Sequence, residues 1–293
     1  MELKIYEEGL KRLREKNYKE AIPWFDKAIE LNPSFPKFYR NRGIAKYWIR
    51  DLQGVIEDYT KVIEFSPNDK NAYFRRGIAN QELNNLEEVV KDMLKVIELD
   101  PKNSEAYNHI GCVYVKRSKE GEAIEYFDRT IELNPKDYFA YSNRGICKTT
   151  TKDYLGAIED CDRAIELMPM FAIPYAYKGC ALYALGKNSE GLYCLNKALE
   201  IDPKDMSLYH LRGVNKYSEK DYVGAIKDFD KVLEVDPNNV EMNKFKKMSL
   251  EKLSVESLEK DKNKNVEKNT SEINMRKKKE NFLDRFNIFK CKK

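Results

Sequence analysis

The chain has little of the chemistry that catalysis or metal binding needs. It holds two histidines, His109 and His210, and six cysteines, Cys112, Cys147, Cys161, Cys180, Cys194 and Cys291, with no C-x-x-C pair. Five of the six fall inside expected helices where equivalent positions carry small or apolar residues. They are expected to be buried reduced thiols acting as small hydrophobes, with neither zinc nor disulfide. No P-loop, G-x-G-x-x-G, G-x-S-x-G or H-E-x-x-H occurs, so neither an enzyme nor a cofactor is expected. No apolar run approaches the roughly 18–20 residues that cross a bilayer. The first residues, Met1 to Glu8, are charged at once and lack an apolar core, so no secretory signal is expected and the expected compartment is cytoplasmic.

Proline is sparse too, yet seven of the ten prolines stand 34 residues apart: Pro33, Pro67, Pro101, Pro135, Pro169, Pro203 and Pro237. Glycine keeps the same interval at Gly9, Gly43, Gly77, Gly111, Gly145, Gly179 and Gly213. A period of this length marks stacked supersecondary units rather than one globular core. In the stretch from Pro36 to Asp69, the residues Phe38, Ile44, Ala45 and Trp48 lie at helical spacing. So do Val55, Ile56, Tyr59, Val62 and Ile63. Arg50-Asp51-Leu52 separates the two runs, and Ser66-Pro67 ends the second because proline disfavours helical geometry in the residue before it. Each period therefore reads as a helical hairpin. A composition of 42% hydrophobic and 35% charged residues fits helices with one packed and one solvated face.

With an aromatic at the fourth place, glycine at the eighth, small residues at the twentieth and twenty-seventh, a bulky residue at the twenty-fourth and proline at the thirty-second, these periods resemble the tetratricopeptide repeat. The resemblance covers residues 2–239 as seven repeats: 2–35, 36–69, 70–103, 104–137, 138–171, 172–205 and 206–239. It implies an all-α, right-handed superhelical solenoid of helix-turn-helix units. Glycine inside a helix costs roughly 1 kcal/mol relative to alanine, so its recurrence needs a reason. The small residues Ala21, Val55, Val89, Ala123, Ala157, Gly191 and Ala225 offer one: the two helices are expected to approach so closely there that a Cβ on each would collide. Tyr39, Tyr73, Tyr107, Tyr141, Tyr175 and Tyr209 are expected to fill core between hairpins.

Residues 240–258 are expected to form a capping helix through Val240, Met242, Phe245, Met248, Leu250 and Leu253. From Glu259 the composition turns to Lys, Asn and Glu, which reads as a disordered, flexible linker. Residues 259–293 hold 12 basic and 6 acidic residues in a chain of net charge +4, so the rest is slightly acidic. Phe282, Phe286 and Phe289 share a helical face beside Arg276-Lys277-Lys278-Lys279. This end has three readings: folding back on the solenoid, contact of residues 276–293 with an anionic membrane or partner, and nucleic acid. One basic cluster is a small footprint for the last.

The resemblance places function on the concave face, built from first helices at places two, five, six, nine, twelve and thirteen. The N-terminal half offers Tyr6, Lys37, Arg40, Asn41, Tyr47, Trp48, Phe74, Arg75, Asn108, His109 and Lys116, an aromatic and cationic set. The C-terminal half, with Phe139, Asn143, Ile173, Tyr177 and Cys180, is more apolar. The expected partner is a protein or peptide segment of acidic and amphipathic character, held by a non-catalytic scaffold or adaptor. A membrane-peripheral organiser anchored by its tail is one alternative. A co-chaperone-like adaptor for an acidic C-terminus is another, although only Asn41 and Arg75 match the five clamp places of such members; Tyr6, Leu10 and Asn71 stand at the rest. Arg42, Arg76, Arg144 and Arg212, one place before glycine, are expected to pack their stems between helices and meet acidic neighbours with their heads.

Overall fold

Aspartate and asparagine set the phase of the helices. Asp69, Asn103, Asp137 and Asp205 accept hydrogen bonds from first-turn amides of one set of helices, and Asp51, Asp153 and Asp221 do the same for the helices between them. Each satisfies amides that have no partner within the helix. Where Phe35 stands at the corresponding position, Pro36 opens the helix instead, with its fixed φ already helical. The computed structural model describes residues 1–255. The expected tail at 259–293, the last residues of the expected capping helix and Cys291 lie outside the described residues.

The helices are α1 (Glu2–Arg14), α2 (Tyr18–Leu31), α3 (Pro36–Trp48), α4 (Leu52–Phe65), α5 (Lys70–Glu82), α6 (Leu86–Leu99), α7 (Ser104–Lys116), α8 (Glu120–Leu133), α9 (Tyr138–Thr150), α10 (Tyr154–Leu167), α11 (Ala172–Ala184), α12 (Asn188–Ile201), α13 (Met206–Ser218) and α14 (Tyr222–Val235). A further helix occupies 240–255. The fold is an all-α solenoid, with no strand among the described residues. It forms two compact units, Met1–Ala184 and the residues from Leu185 onward. In the first, consecutive helices from α1 to α11 pack against one another; in the second, α12 packs on α13 and α13 on α14. No helix among the described residues is long and apolar enough to cross a membrane.

The turn inside each hairpin is a left-handed stop. Lys16, Arg50, Asn84, Ser118, Lys152 and Lys220 have φ between 55° and 67°, although none is glycine. The next amide reaches back five residues in each, as Asp51 to Lys46 at 3.0 Å and Asp153 to Lys148 at 2.8 Å. This is the Schellman closure, which satisfies carbonyls that the helix end leaves open. The stretch Arg50-Asp51-Leu52 thus divides three ways: Arg50 takes the left-handed turn, Asp51 caps, and Leu52 is the buried first residue of α4.

Packing within the hairpins corrects the expectation for glycine. A Cβ on Gly9 would stand 2.7 Å from the ring of Phe25, on Gly111 2.7 Å from Phe127, on Gly213 2.5 Å from Phe229 and on Gly77 2.5 Å from Met93. The missing side chain therefore makes room for the bulky residue sixteen positions later, not for the small one. The small residues Ala21, Ala123 and Ala225 are themselves fully buried beside those rings. The expected aromatic core is also narrower than its tyrosines. Tyr39 is buried, whereas Tyr73, Tyr107, Tyr141, Tyr175 and Tyr209 are half-buried. Three of the hydroxyls face the loops, Tyr39 donating to the Pro33 carbonyl at 2.9 Å, Tyr209 to that of Pro203 at 3.2 Å and Tyr107 to that of Pro101 at 3.5 Å.

The recurring arginines close a buried polar seam. Arg42 binds Asp58 at 2.5 Å and Asp26 at 2.6 Å, and Arg144 binds Asp160 and Asp128 at 2.5 Å each. Arg212 binds Asp228 at 2.6 Å and Asn196 at 2.8 Å. Each guanidinium also lies over a tyrosine ring, 5.5–5.7 Å from the centroid. A lysine one turn on completes three of these sites: Lys46 on Asp58, Lys148 on Asp160 and Lys216 on Asp228. The α5–α6 hairpin lacks that lysine, having Asn80 instead. Asp92, fully buried, keeps Arg76 alone at 2.6 Å. Burial pushes the Asp92 carboxyl above its ordinary range despite the opposing arginine.

At the far end, the helix at 240–255 buries Met242 and stacks Phe245 on Phe229 with centroids 5.6 Å apart. Two of its expected apolar contacts are solvent-facing: Val240 is 82% and Leu250 48% exposed. Ser249 is buried in their place, its hydroxyl donating to the Phe245 carbonyl at 2.8 Å.

Gly111→Ala should lower the urea midpoint by the equivalent of about 1–2 kcal/mol, overpacking outweighing the gain in helix propensity. Gly121→Ala, where a Cβ meets nothing within 4 Å, should be neutral or raise it by up to about 1 kcal/mol, both read by far-ultraviolet circular dichroism. Asp160→Asn should destabilise by about 3 kcal/mol, because two cations lose their buried partner. Asp92→Asn should cost under about 1 kcal/mol at pH 7 by the same scale, since the ionised form is already disfavoured in the fold. That cost in the wild type fades as pH falls through the raised pKa. Denaturant unfolding should therefore show wild type gaining on Asp92→Asn between pH 7 and pH 4.

Candidate functional site

Besides the seam residues Arg42, Lys46 and Arg76, the helices α3, α5 and α7 carry a second polar, aromatic and cationic set that includes Arg40, Asn41, Tyr47, Arg75 and His109. Arg40 on α3 is hydrogen-bonded to Asp69, the residue that caps α5. Asn41 donates to the Tyr6 hydroxyl at 2.6 Å and to the Lys37 carbonyl at 2.9 Å. Burial raises the Tyr6 pKa against the pull of Arg40. The Tyr47 hydroxyl donates to Glu82 at 2.6 Å; that bond holds the phenol above its ordinary pKa, and Arg50 shares the same carboxylate. These bonds tie successive first helices together and fix their side chains.

Between α3 and α5, with α4 behind them, lie two contiguous depressions. The smaller, about 160 Å³, is lined by Ile44, Tyr47, Trp48, Val55, Tyr59, Arg75 and Ile78. The larger, about 400 Å³, is lined by Arg40, Ile44, Tyr59, Asn71, Phe74, Arg75, Asn103 and Glu105. Ile44, Tyr59 and Arg75 belong to both. Tyr59 is 3% exposed, and burial pushes its pKa up to about 12, with Arg75 and Arg40 opposing, so the phenol is neutral at physiological pH. Arg75 makes no hydrogen bond or ion pair among the described residues, and the Arg40 Nε is buried without a partner. Trp48 is 60% exposed and stacks on Tyr18, with centroids 5.4 Å apart and an interplanar angle of 11°.

The expected site residues divide accordingly. The structure brings Arg40, Tyr47, Trp48, Phe74 and Arg75 to this one place. Lys37 is exposed on the first turn of α3, with its Nζ 6.0 Å from the Phe35 ring. On α7, His109 Nδ1 bonds the Gln81 Oε1 at 2.7 Å and its ring meets Phe74 edge-on at 5.5 Å. Burial lowers the His109 pKa, which keeps the imidazole neutral. The neighbouring Asn108 Oδ1 is buried without a hydrogen-bond partner among the described residues. Asn143 lies 3.6 Å from the Cys112 sulfur, and Lys116 and Tyr177 line neither depression.

Sequence reasoning passed over Ile44, Ile78, Tyr59, Val55 and the rim residues Asn71, Asn103 and Glu105. Ile44 and Ile78 occupy the ninth place of their repeats, an inward place, and their apolar character hid them. Tyr59 read as core alone, although its hydroxyl makes no hydrogen bond among the described residues and opens on both depressions. Among the described residues no group of three or more His, Cys, Asp or Glu could hold a metal.

Three segments match family profiles: residues 9–47 match one described as "TPR repeat", and residues 71–103 and 93–125 match two described as "Tetratricopeptide repeat". No curated protein is significantly similar in sequence. Among solved structures, YrrB, described as a TPR protein with an unusual peptide-binding site, is 24% identical, with a TM-score of 0.55 over 64% of this chain and 96% of that one. A tetratricopeptide repeat protein from Parabacteroides merdae is 20% identical, with a TM-score of 0.64 over 85% of this chain and 98% of that one. MamA is 26% identical, with a TM-score of 0.53 over 59% of this chain and 94% of that one.

The cysteines offer a direct check on this interior. Cys147 and Cys161 are pushed up to about 12 by burial, and Cys112 and Cys180 to about 11. All four are free thiols. Since the thiolate is the reactive form, iodoacetamide at pH 8 should label these four at least tenfold more slowly in the native protein than in 8 M urea, as read by peptide mass spectrometry.

Proposed function

Because the chain is a tetratricopeptide repeat protein, a fold that serves protein–protein interaction, we propose that it is a non-catalytic adaptor holding a peptide segment of a partner against α3, α5 and α7. The observation that carries this reading is the Arg75 guanidinium: it is uncommitted, and it stands where an apolar depression meets a polar one. Arg42, Arg76 and Arg144, by contrast, are spent on the aspartate seam. A guanidinium left free beside Trp48, Phe74 and Ile78 can give directed hydrogen bonds to carboxylate or carbonyl oxygens, while the flanking rings contribute area at low entropic cost.

The surface also suits an extended ligand. Asn71 on α5 and Asn103 at the start of α7 line the polar depression, and the amide of Asn71 can both donate to and accept from a peptide backbone. That the solved relative YrrB is described as having a peptide-binding site supports the class of ligand, not its identity. The proposed partner is an acidic, amphipathic segment, on the grounds of the free cation and the apolar depression together.

Random dodecamer display on the full chain tests the proposal. Selected peptides should slow hydrogen exchange in α3 and α5 and should bind Arg75→Gln at least tenfold more weakly, a loss of about 1.4 kcal/mol. Failure to enrich any peptide, or enrichment indifferent to Arg75→Gln with protection elsewhere, would remove it.

A further inference from the structure

The two depressions differ in chemistry but share a wall, and this permits a narrower statement that rests on the proposed function. On the polar side three donors lack acceptors: the Arg75 guanidinium, the Arg40 Nε, and the Tyr59 hydroxyl, which makes no hydrogen bond among the described residues. The nearby carboxylates do not serve them. Asp69 is held by Arg40 and by the first-turn amides of α5, and Glu82 by Tyr47 and Arg50. Of the three, the Arg40 Nε is buried, and a buried donor without an acceptor costs free energy that a ligand oxygen would recover; the Arg75 guanidinium is exposed and exchanges water for the ligand. An ionised oxygen suits best, because the donor set is cationic and the phenol stays protonated.

On the apolar side, Ile44, Val55, Ile78 and the face of Trp48 enclose space for one bulky apolar side chain. Ile44, Tyr59 and Arg75 line both compartments, with the Tyr59 ring on the wall they share. A phenol ring spans roughly two residues of extended chain at about 3.3 Å each. Glu105, exposed on the far rim of the polar depression, would repel a second anion there and accept a backbone N–H instead. The occupant is therefore a chain that continues past the site toward α7.

We propose that these depressions form a two-part subsite for a protein segment in which an internal aspartate or glutamate side chain sits within two residues of a bulky apolar one. The carboxylate lies on Arg75 and Tyr59, and the apolar side chain enters between α3 and α5 against Ile44, Val55 and Ile78.

The test uses the full chain and N-acetylated, C-amidated Gly/Ser decapeptides, titrated to millimolar concentration by competition anisotropy against a display-selected tracer. The peptides carry Glu-Ser-Leu, Gln-Ser-Leu, Glu-Ser-Ser, or Glu and Leu six residues apart. Glu-Ser-Leu should compete at least tenfold better than each of the others. The Glu-over-Gln preference should vanish in Arg75→Gln and shrink severalfold in Tyr59→Phe, which keeps the ring. Trp48→Ala should weaken Glu-Ser-Leu and Gln-Ser-Leu equally. Equal competition by Glu and Gln peptides, or a preference surviving Arg75→Gln, overturns the subsite while the tracer still reports groove binding. Stronger competition by a Gly/Ser peptide with a free C-terminal carboxylate than by amidated Glu-Ser-Leu overturns it in favour of chain-end recognition. Absence of any tracer overturns the groove reading as well.

Discussion

A ring seated in the space of a missing Cβ is the contact on which the rest of this structure depends. Phe25 under Gly9, Phe127 under Gly111 and Phe229 under Gly213 bring two helices of a hairpin into register and fix how far they stand apart. The cost of glycine in a helix, roughly 1 kcal/mol each, is offset by burying a whole aromatic side chain. With the spacing of each pair fixed, the first helices of neighbouring hairpins in the unit Met1–Ala184 come side by side, and their outward residues meet across the gap. Asn41 can then reach Tyr6, and Gln81 can reach His109.

The same register decides the fate of the charges. Arg75 and Arg76 are adjacent in sequence and separated by about 100° around the helix. Arg76 turns toward α6 and is consumed by Asp92, with Thr60 at 3.1 Å; Arg75 turns toward the opposite face and meets no acceptor. The buried pair of Arg144 with Asp160 joins the two helices of one hairpin, and Arg144 with Asp128 reaches the hairpin before it; desolvation offsets much of the attraction of the buried pair. The α5–α6 hairpin, where Asp92 lacks the lysine its counterparts have, is the weak link of that seam. It also forms one wall of the candidate site.

Much of this was legible from the period alone. The seven glycines and seven prolines announced helical hairpins, and the arginine one place before glycine read correctly as a structural ion-pair residue. The glycine's partner was misread, because residues at the twentieth and twenty-fourth places are one turn apart and both face the first helix; only packing shows which of them fills the gap. The candidate site was half legible. Arg40, Tyr47, Trp48, Phe74 and Arg75 stood out as polar or aromatic residues at inward places. Ile44 and Ile78 did not, since an apolar residue in an amphipathic helix looks like core whether or not a cavity lies beside it.

By itself, then, the sequence determined the class of fold and the phase of its helices, because these follow from local rules: capping, helical period and the exclusion of helix by proline. The tertiary structure alone decided which charged groups are left without partners and where cavities remain. Those depend on distances between residues far apart in the chain, such as Arg40 with Asp69 and Gly43 with Tyr59, and a one-dimensional pattern carries no distances.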